Sequence, residues 1–265
     1  YRNGNYDIYM KDLTSGAETM LAGGASIEAY PAILGSRIVW ESTVSGNYDV
    51  WTTTIPDTTP PVVSSLQPEN GAALGCSSPT VSASFSDNRA GVDPDSVQLI
   101  VDNLDVTAAA QVSDTGISWQ PTGTLSGGNH AIALNVSDHE GNTANASWSF
   151  STSQPVLSLF KTSVLWASTD DYDNALLSVG YLIGNNSTTD AYATNILASP
   201  ASAGVIVSGS SVPQTIGDIA AGDGQSLVLK YHIPTGVNAF NTTLYSQTFD
   251  SCGASFYFPG PPPSA

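Results

Sequence analysis

The chain has 265 residues, a formal net charge of −17 and only 6 Lys and Arg. A field of that sign repels phosphate backbones and anionic lipid, which argues against nucleic acid as a partner. At 41% hydrophobic residues the chain can still bury sandwich-sized cores, and no apolar run approaches the roughly 18 residues of a membrane span, so membrane insertion by this segment is not expected. The 24 Gly, 16 Pro and an excess of Asp over Glu, 18 to 5, predict strands and turns, because Asp favours turns and Glu favours helices.

In chain order the first feature is an internal repeat. Gly4-Asn-Tyr-Asp-Ile-Tyr9 returns as Gly46-Asn-Tyr-Asp-Val-Trp51, a spacing of 42 residues, which is the length of one four-stranded propeller blade. Ala17–Leu21 and Tyr30–Glu41 fill the interval with further strand patterns, so residues 1–56 are expected to form one blade-like β module. With its YDIY strand, its TG turn and its PAI..G.RIVW pair, this stretch resembles the blades of TolB-type surface β-propellers. A lone blade cannot hide both faces, so Ile33, Ile38, Val39 and Trp40 are candidates for self-association.

Asp57-Thr-Thr-Pro-Pro61 breaks the pattern and marks a boundary. Residues 57–153 alternate at period two: Val81, Ala83 and Phe85 form one inward row, Val97, Leu99 and Val101 a second, Ile132, Leu134 and Val136 a third, with Trp148 and Phe150 closing. A seven-stranded sandwich is expected. The leading DTTPP, SDNRAGVDPDSV and VSDHEGNTA are similar to bacterial Ig-like domains of surface proteins. Residues 154–259 alternate again, through Leu177, Val179, Tyr181 and Ile183 and through Leu227, Leu229, Tyr231 and Ile233. LSVGYLIGNNSTTDAYATNI, TIGDIAAGDGQSLVLKYHIP and a final aromatic strand resemble CARDB-like adhesion modules of archaeal and bacterial exoproteins, giving a second seven-stranded, Ig-like sandwich. Residues 260–265 read as a Pro-rich linker or tail, and a chain opening at Tyr1 without Met is expected to be a mature product or a segment of something longer. The fold class is therefore all-β: one blade unit and two tandem sandwiches.

Nothing in the sequence assembles a catalytic centre. His130, His139 and His232 have no partner at metal-ligand spacing and read as surface residues. Asp170-Asp171-x-Asp173 is the densest acidic cluster, expected as a solvated turn, a weak calcium site or an acid-base pair in that order. Tyr48, Trp51, Trp119, Trp148 and Trp166 fit core packing better than a sugar-stacking platform. No enzyme activity and no required cofactor are expected.

Binding and modification candidates remain. In a sandwich of successive antiparallel strands the leading segment and two of the loops share one pole, which gathers Asp57, Asp87, Asp93, Asp95, Asp138 and Asn142 as hard oxygen ligands for Ca2+. The resemblance to tandem Ig-like adhesins implies the same ion. Cys76 and Cys252 sit in loops aimed at the junction of the two sandwiches, where a disulfide, lone thiols and an intermolecular bridge are the alternatives. Asn135, Asn145, Asn185, Asn186 and Asn241 stand in Asn-x-Ser/Thr acceptors of a candidate glycoprotein. Together these features predict a secreted or cell-surface structural building block (surface layer, sheath, filament or adhesin stalk) that self-associates. The alternatives are a binding module of a larger propeller-bearing exoprotein, with a glycan or protein ligand, and the accessory domains of a secreted hydrolase.

Overall fold

A computed structural model describes residues 4–198, 202, 204–208 and 212–260, and the Pro-rich stretch 261–265 lies outside the described residues. The described residues are strands and turns with one short α-helix, α1 (Thr169–Asp173). They form two compact units. The first gathers the described residues up to Val62 with Ser86–Ser96 and Val136–Ala144; the second gathers Val63–Phe85, Val97–Asn135 and the described residues from Asn145 on.

Residues 4–55 carry five strands in two sheets. β1 (Ile8–Lys11) and β2 (Glu18–Ala22) form an antiparallel ribbon, and β3 (Glu28–Leu34), β4 (Arg37–Ser42) and β5 (Asp49–Thr54) form a three-stranded sheet in that order. The repeat thus sets its two copies, β1 and β5, in different sheets, one two-stranded and one three-stranded. Ile8, Ile38 and Trp40 make the core, with Met10, Leu21, Ala22 and Ile55 packed against it. This corrects the self-association set. Ile38 and Trp40 alternate inward along β4 and are covered by ribbon residues, Val39 is half-buried, and only Ile33 stays largely exposed. The outward apolar surface lies instead on Tyr30, Leu34, Tyr48, Val50 and Trp51.

The next nine strands are β6 (Val62–Gln67), β7 (Ala72–Leu74), β8 (Val81–Ser86), β9 (Val92–Val101), β10 (Leu104–Asp105), β11 (Gln111–Ser113), β12 (Gly116–Trp119), β13 (Gly128–Asp138) and β14 (Thr143–Thr152). Their sheet orders are β10-β9-β13-β14-β7 and β11-β12-β8-β6. The apolar rows along β8, β9, β13 and β14 are all buried, from Val81 to Phe150. The strands exceed the expected seven for local reasons. Asp102 and Asn103 both take left-handed backbone, φ 51 and 67, which makes the tight β9–β10 turn. β11 and β12 add another hairpin, and β7 joins β14 in parallel.

The last eight are β15 (Leu157–Leu165), β16 (Leu176–Asn185), β17 (Ala191–Ala198), β18 (Ile206–Ser208), β19 (Gln214–Ile219), β20 (Gly224–His232), β21 (Leu244–Phe249) and β22 (Ser255–Pro259). They form two four-stranded sheets, β15-β16-β20-β18 and β19-β17-β21-β22. One core joins them: Leu159, Val179, Ile183, Leu229 and Tyr231 from the first sheet meet Ile196, Ile219 and Leu244 from the second. Here too one strand more than seven is present. Leu229 is fully buried whereas its neighbour Val228 points to solvent. Leu229→Ala should therefore cost about 2–5 kcal/mol, and Val228→Ala should stay within about 0.5 kcal/mol. Urea unfolding midpoints of the two variants check this contrast.

Candidate functional sites in the strand-connecting loops

Three aspartates of the first unit converge from three chain segments. Asp57 leads into β6, Asp87 follows β8 and Asp138 ends β13; one carboxylate oxygen from each lies within 4.8 Å of the others. Each spends its first oxygen on its own turn. Asp57 Oδ1 accepts from the Thr59 amide at 3.0 Å and hydroxyl at 2.7 Å. Asp87 Oδ1 accepts from the amides of Arg89 at 2.9 Å and Gly91 at 2.8 Å, and Asp138 Oδ1 from those of Glu140 at 2.9 Å and Asn142 at 2.8 Å. The second oxygens differ. Asp57 Oδ2 accepts from the Ala90 amide at 3.0 Å and Asp138 Oδ2 from Asn142 Nδ2 at 2.7 Å, while Asp87 Oδ2 is buried with no hydrogen-bond partner.

Asn142 Nδ2 also donates to the Asp57 carbonyl at 3.0 Å, and Glu140 Oε2 accepts from the Asp57 amide at 2.6 Å. Asp93 and Asp95 are not part of this group. β9 begins at Val92, so both belong to a strand, where Asp93 accepts from the Asp95 amide at 3.1 Å. The electrostatics favour the charged form at Asp57 and Asp138. The Thr59 hydroxyl and amide hold the Asp57 carboxyl down to about 2, burial opposes them, and the Ala90 amide and Arg89 charge assist. For Asp138 burial pushes up, but the hydrogen bonds from Asn142 and Glu140 outweigh it and the adjacent Asp57 charge, leaving it below the usual carboxylate range. Hard carboxylate oxygens from three chain segments, one of them buried without a hydrogen-bond partner, are the donor type that calcium takes.

In the second unit Cys76 and Cys252 form a disulfide with Cα atoms 5.1 Å apart. Sequence reasoning missed what surrounds it. Buried Asp250 accepts from the Ser77 amide at 2.7 Å and hydroxyl at 2.5 Å through Oδ2, and from the amides of Cys252 and Ala254, both at 2.9 Å, through Oδ1. Ser251 donates twice to the Gly75 carbonyl, from its amide at 3.1 Å and its hydroxyl at 2.8 Å. Gly75 needs its hydrogen, since a Cβ there would lie 2.2 Å from Thr189 Oγ1. The signal available in the sequence was the shared pattern Asp-x-x-Gly in Asp138–Gly141 and Asp250–Gly253.

The remaining candidates separate by burial. His130 is not a surface residue: it is 2% exposed, with Nδ1 2.7 Å from Asp102 Oδ2 and Nε2 3.0 Å from both the Ser126 carbonyl and Thr152 Oγ1. An Asp-His-Thr series of this kind resembles a nucleophile relay, but Thr152 is buried and donates its hydroxyl to the Ser126 carbonyl, so the set pins the β9–β10 turn to β13 and β14. Asp171 caps no turn alone; it lies in α1 and pairs with Lys230 at 2.9 Å. Trp119 and Trp148 are buried, whereas Tyr48, Trp51 and Trp166 are exposed. Asn185 is ruled out as a glycan acceptor, because it is buried and donates to the Thr189 and Ile219 carbonyls. Asn145, Asn186 and Asn241 are exposed and Asn135 is half-buried. His139 and His232 are exposed.

Residues 57–152 match the family described as bacterial Ig-like domain. No curated protein matches the chain. Among solved structures, CopC from Methylosinus trichosporium OB3b is 16% identical over 36% of this chain and 94% of its own, with a TM-score of 0.29. A tetra-tandem repeat in the extending region of a large adhesion protein is 16% identical over 96% of this chain and 65% of its own, TM-score 0.30. Sidekick-1 immunoglobulin domains 1–5 are 10% identical over 92% and 47%, TM-score 0.35. The chain spans less than two thirds of the last two.

Because the folded pKa of Asp57 is depressed to about 2, against an unfolded value of roughly 3.9, its contribution to stability is complete above about pH 4 and is lost as pH falls toward 2. Hydrogen exchange of the Thr59 and Ala90 amides, corrected for intrinsic rates, should lose protection across that window. In Asp57→Asn that acid-dependent loss should be absent.

Proposed function

We propose that the chain is a non-catalytic, extracellular structural segment of a microbial surface protein, of the surface-layer, sheath, filament or adhesin-stalk kind, in which two tandem sandwiches serve as a stiff spacer. The observation that carries this reading is the Cys76–Cys252 clamp with the buried Asp250–Ser77 hydrogen bonds beside it. A linker meant to flex would not bury a carboxylate against the neighbouring module, and a disulfide persists in the oxidising conditions outside the cytosol. On this reading residues 1–56 are a TolB-type blade, residues 154–259 a CARDB-like adhesion module, and subunit contacts build the assembly. Asp57, Asp87 and Asp138 would hold calcium, which would neutralise their mutual repulsion and tie the segment before β6 to the loops after β8 and β13.

Two measurements test it. In Cys76→Ser/Cys252→Ser the scattering profile should broaden toward a hinged pair of modules. With a sequence separation of 176 residues, loop-closure entropy alone allows a stability loss of up to about 5 kcal/mol. An oxidised chain that flexes as freely as the double variant would sink the spacer reading. For the ion, chelation should lower Tm of the wild type and leave Asp87→Asn unchanged; equal behaviour of the two removes calcium from the proposal.

A further inference from the structure

We infer that the free edge of β5 is a docking site for an extended polypeptide strand of the β2 type, which adds to the sheet through backbone hydrogen bonds. The inference uses only residues 4–55 and stands apart from the spacer reading. The repeat equates Ile8-Tyr9-Met10-Lys11 of β1 with Val50-Trp51-Thr52-Thr53 of β5. β1 is paired along one edge by the strand that follows it, with Tyr9 opposite Met20, Met10 opposite Thr19 and Lys11 opposite Glu18. β5 is paired by the strand that precedes it, with Trp40 opposite Trp51 and Ile38 opposite Thr53, and there its sheet ends. Where a following strand would return, the chain runs into Asp57-Thr-Thr-Pro-Pro61.

The face of β5 is uncovered as well: Val50 is 77% exposed and Trp51 44%, whereas Ile8 of β1 is 4% exposed because it packs against Ile38 and Trp40. Of β5 only Thr53 is even half-buried. Edge strands are ordinarily blunted by Pro, Lys or a bulge. β5 reads Asp-Val-Trp-Thr-Thr-Thr, with none of these residues and an unbroken register to β4. Such an edge accepts a strand by β-augmentation, in which the backbone supplies affinity and alternate side chains supply selectivity. Carrying the β2 register over to β5 defines the occupant: a Met-sized apolar side chain opposite Trp51, a small hydroxyl opposite Thr52 and a polar or acidic residue opposite Thr53. A second β5 strand offers no such apolar residue beyond Val50 and Trp51 themselves, so the repeat selects a β2-like segment over self-pairing.

The test titrates the full chain with a synthetic peptide of residues 14–25, Thr-Ser-Gly-Ala-Glu-Thr-Met-Leu-Ala-Gly-Gly-Ala, reading hydrogen exchange of the β5 amides and Trp fluorescence. Among residues 49–54, the alternate amides that face away from β4 should gain protection on peptide addition. Of two peptides N-methylated at alternate residues, one should bind at least about tenfold more weakly and the other normally, since only one edge of the added strand faces β5. Val50→Lys should also weaken binding. Modifying the peptide leaves folding of the chain untouched. Three outcomes overturn the inference: outward-facing β5 amides, those not bonded to β4, already protected in the free chain, protection of these amides that grows with chain concentration without peptide, or equal binding by a scrambled or by both N-methylated peptides.

Discussion

One interaction fastens distant segments of this chain at two places: a turn aspartate that gives one carboxylate oxygen to its own loop and the other to a second segment. Asp57 and Asp250 follow this rule, the latter with its Oδ1 on Cys252 and Ala254 and its Oδ2 on Ser77. Asp138 keeps both oxygens in its own turn and reaches the Asp57 carbonyl through Asn142. Asp102 uses both oxygens on the β13 segment, at Ala131 and His130. The excess of Asp over Glu follows from this geometry. A carboxylate on one methylene reaches the amides two and four residues ahead, which a Glu side chain overshoots.

The rule also identifies its exception. Asp87 binds its own loop in the same way, through Arg89 and Gly91, but its second oxygen meets no donor although it is buried. A buried carboxylate oxygen left without a donor is costly, and Asp87 lies within reach of Asp57 and Asp138.

Much of this was legible before any coordinates. Period-two alternation located the buried rows of β8, β9, β13, β16 and β20, because a strand buried on one face has no other way to arrange its side chains. The pole argument brought Asp57, Asp87 and Asp138 to one end, since strand direction fixes which loops are neighbours. What was not legible depended on side-chain contacts between distant segments. His130 looked like a surface residue because nothing in its local sequence announces Asp102 or Thr152. Asp93 and Asp95 looked like loop ligands because the start of β9 depends on pairing rather than on composition. Asn185 carries a glycan acceptor pattern, yet its amide is consumed by carbonyls from two loops. In residues 4–55 the repeat gives strand identity, but which strands pack over β4, and hence whether Ile38 and Trp40 are covered, is a tertiary matter.

The two Asp-x-x-Gly loops make the last step of the comparison. Asp138 and Asp250 open identical turns: the Asp138 amide donates to the Asn142 carbonyl at 3.1 Å and the Asp250 amide to the Ala254 carbonyl at 3.0 Å, with Gly141 and Gly253 both at left-handed φ, 87 and 82. Each loop links consecutive strands, β13 to β14 and β21 to β22. The residue two places after the aspartate is the one that reaches out. In the first loop it is Glu140, whose carboxylate accepts from the Asp57 amide; in the second it is Cys252, which is bonded covalently to Cys76. The same backbone frame thus presents either an acid or a thiol at its reaching position. An acid gives a hydrogen bond to a backbone amide, and a thiol gives a covalent bond that only reduction opens. The loop fixes where the contact is made, and a single residue within it decides which chemistry can undo it.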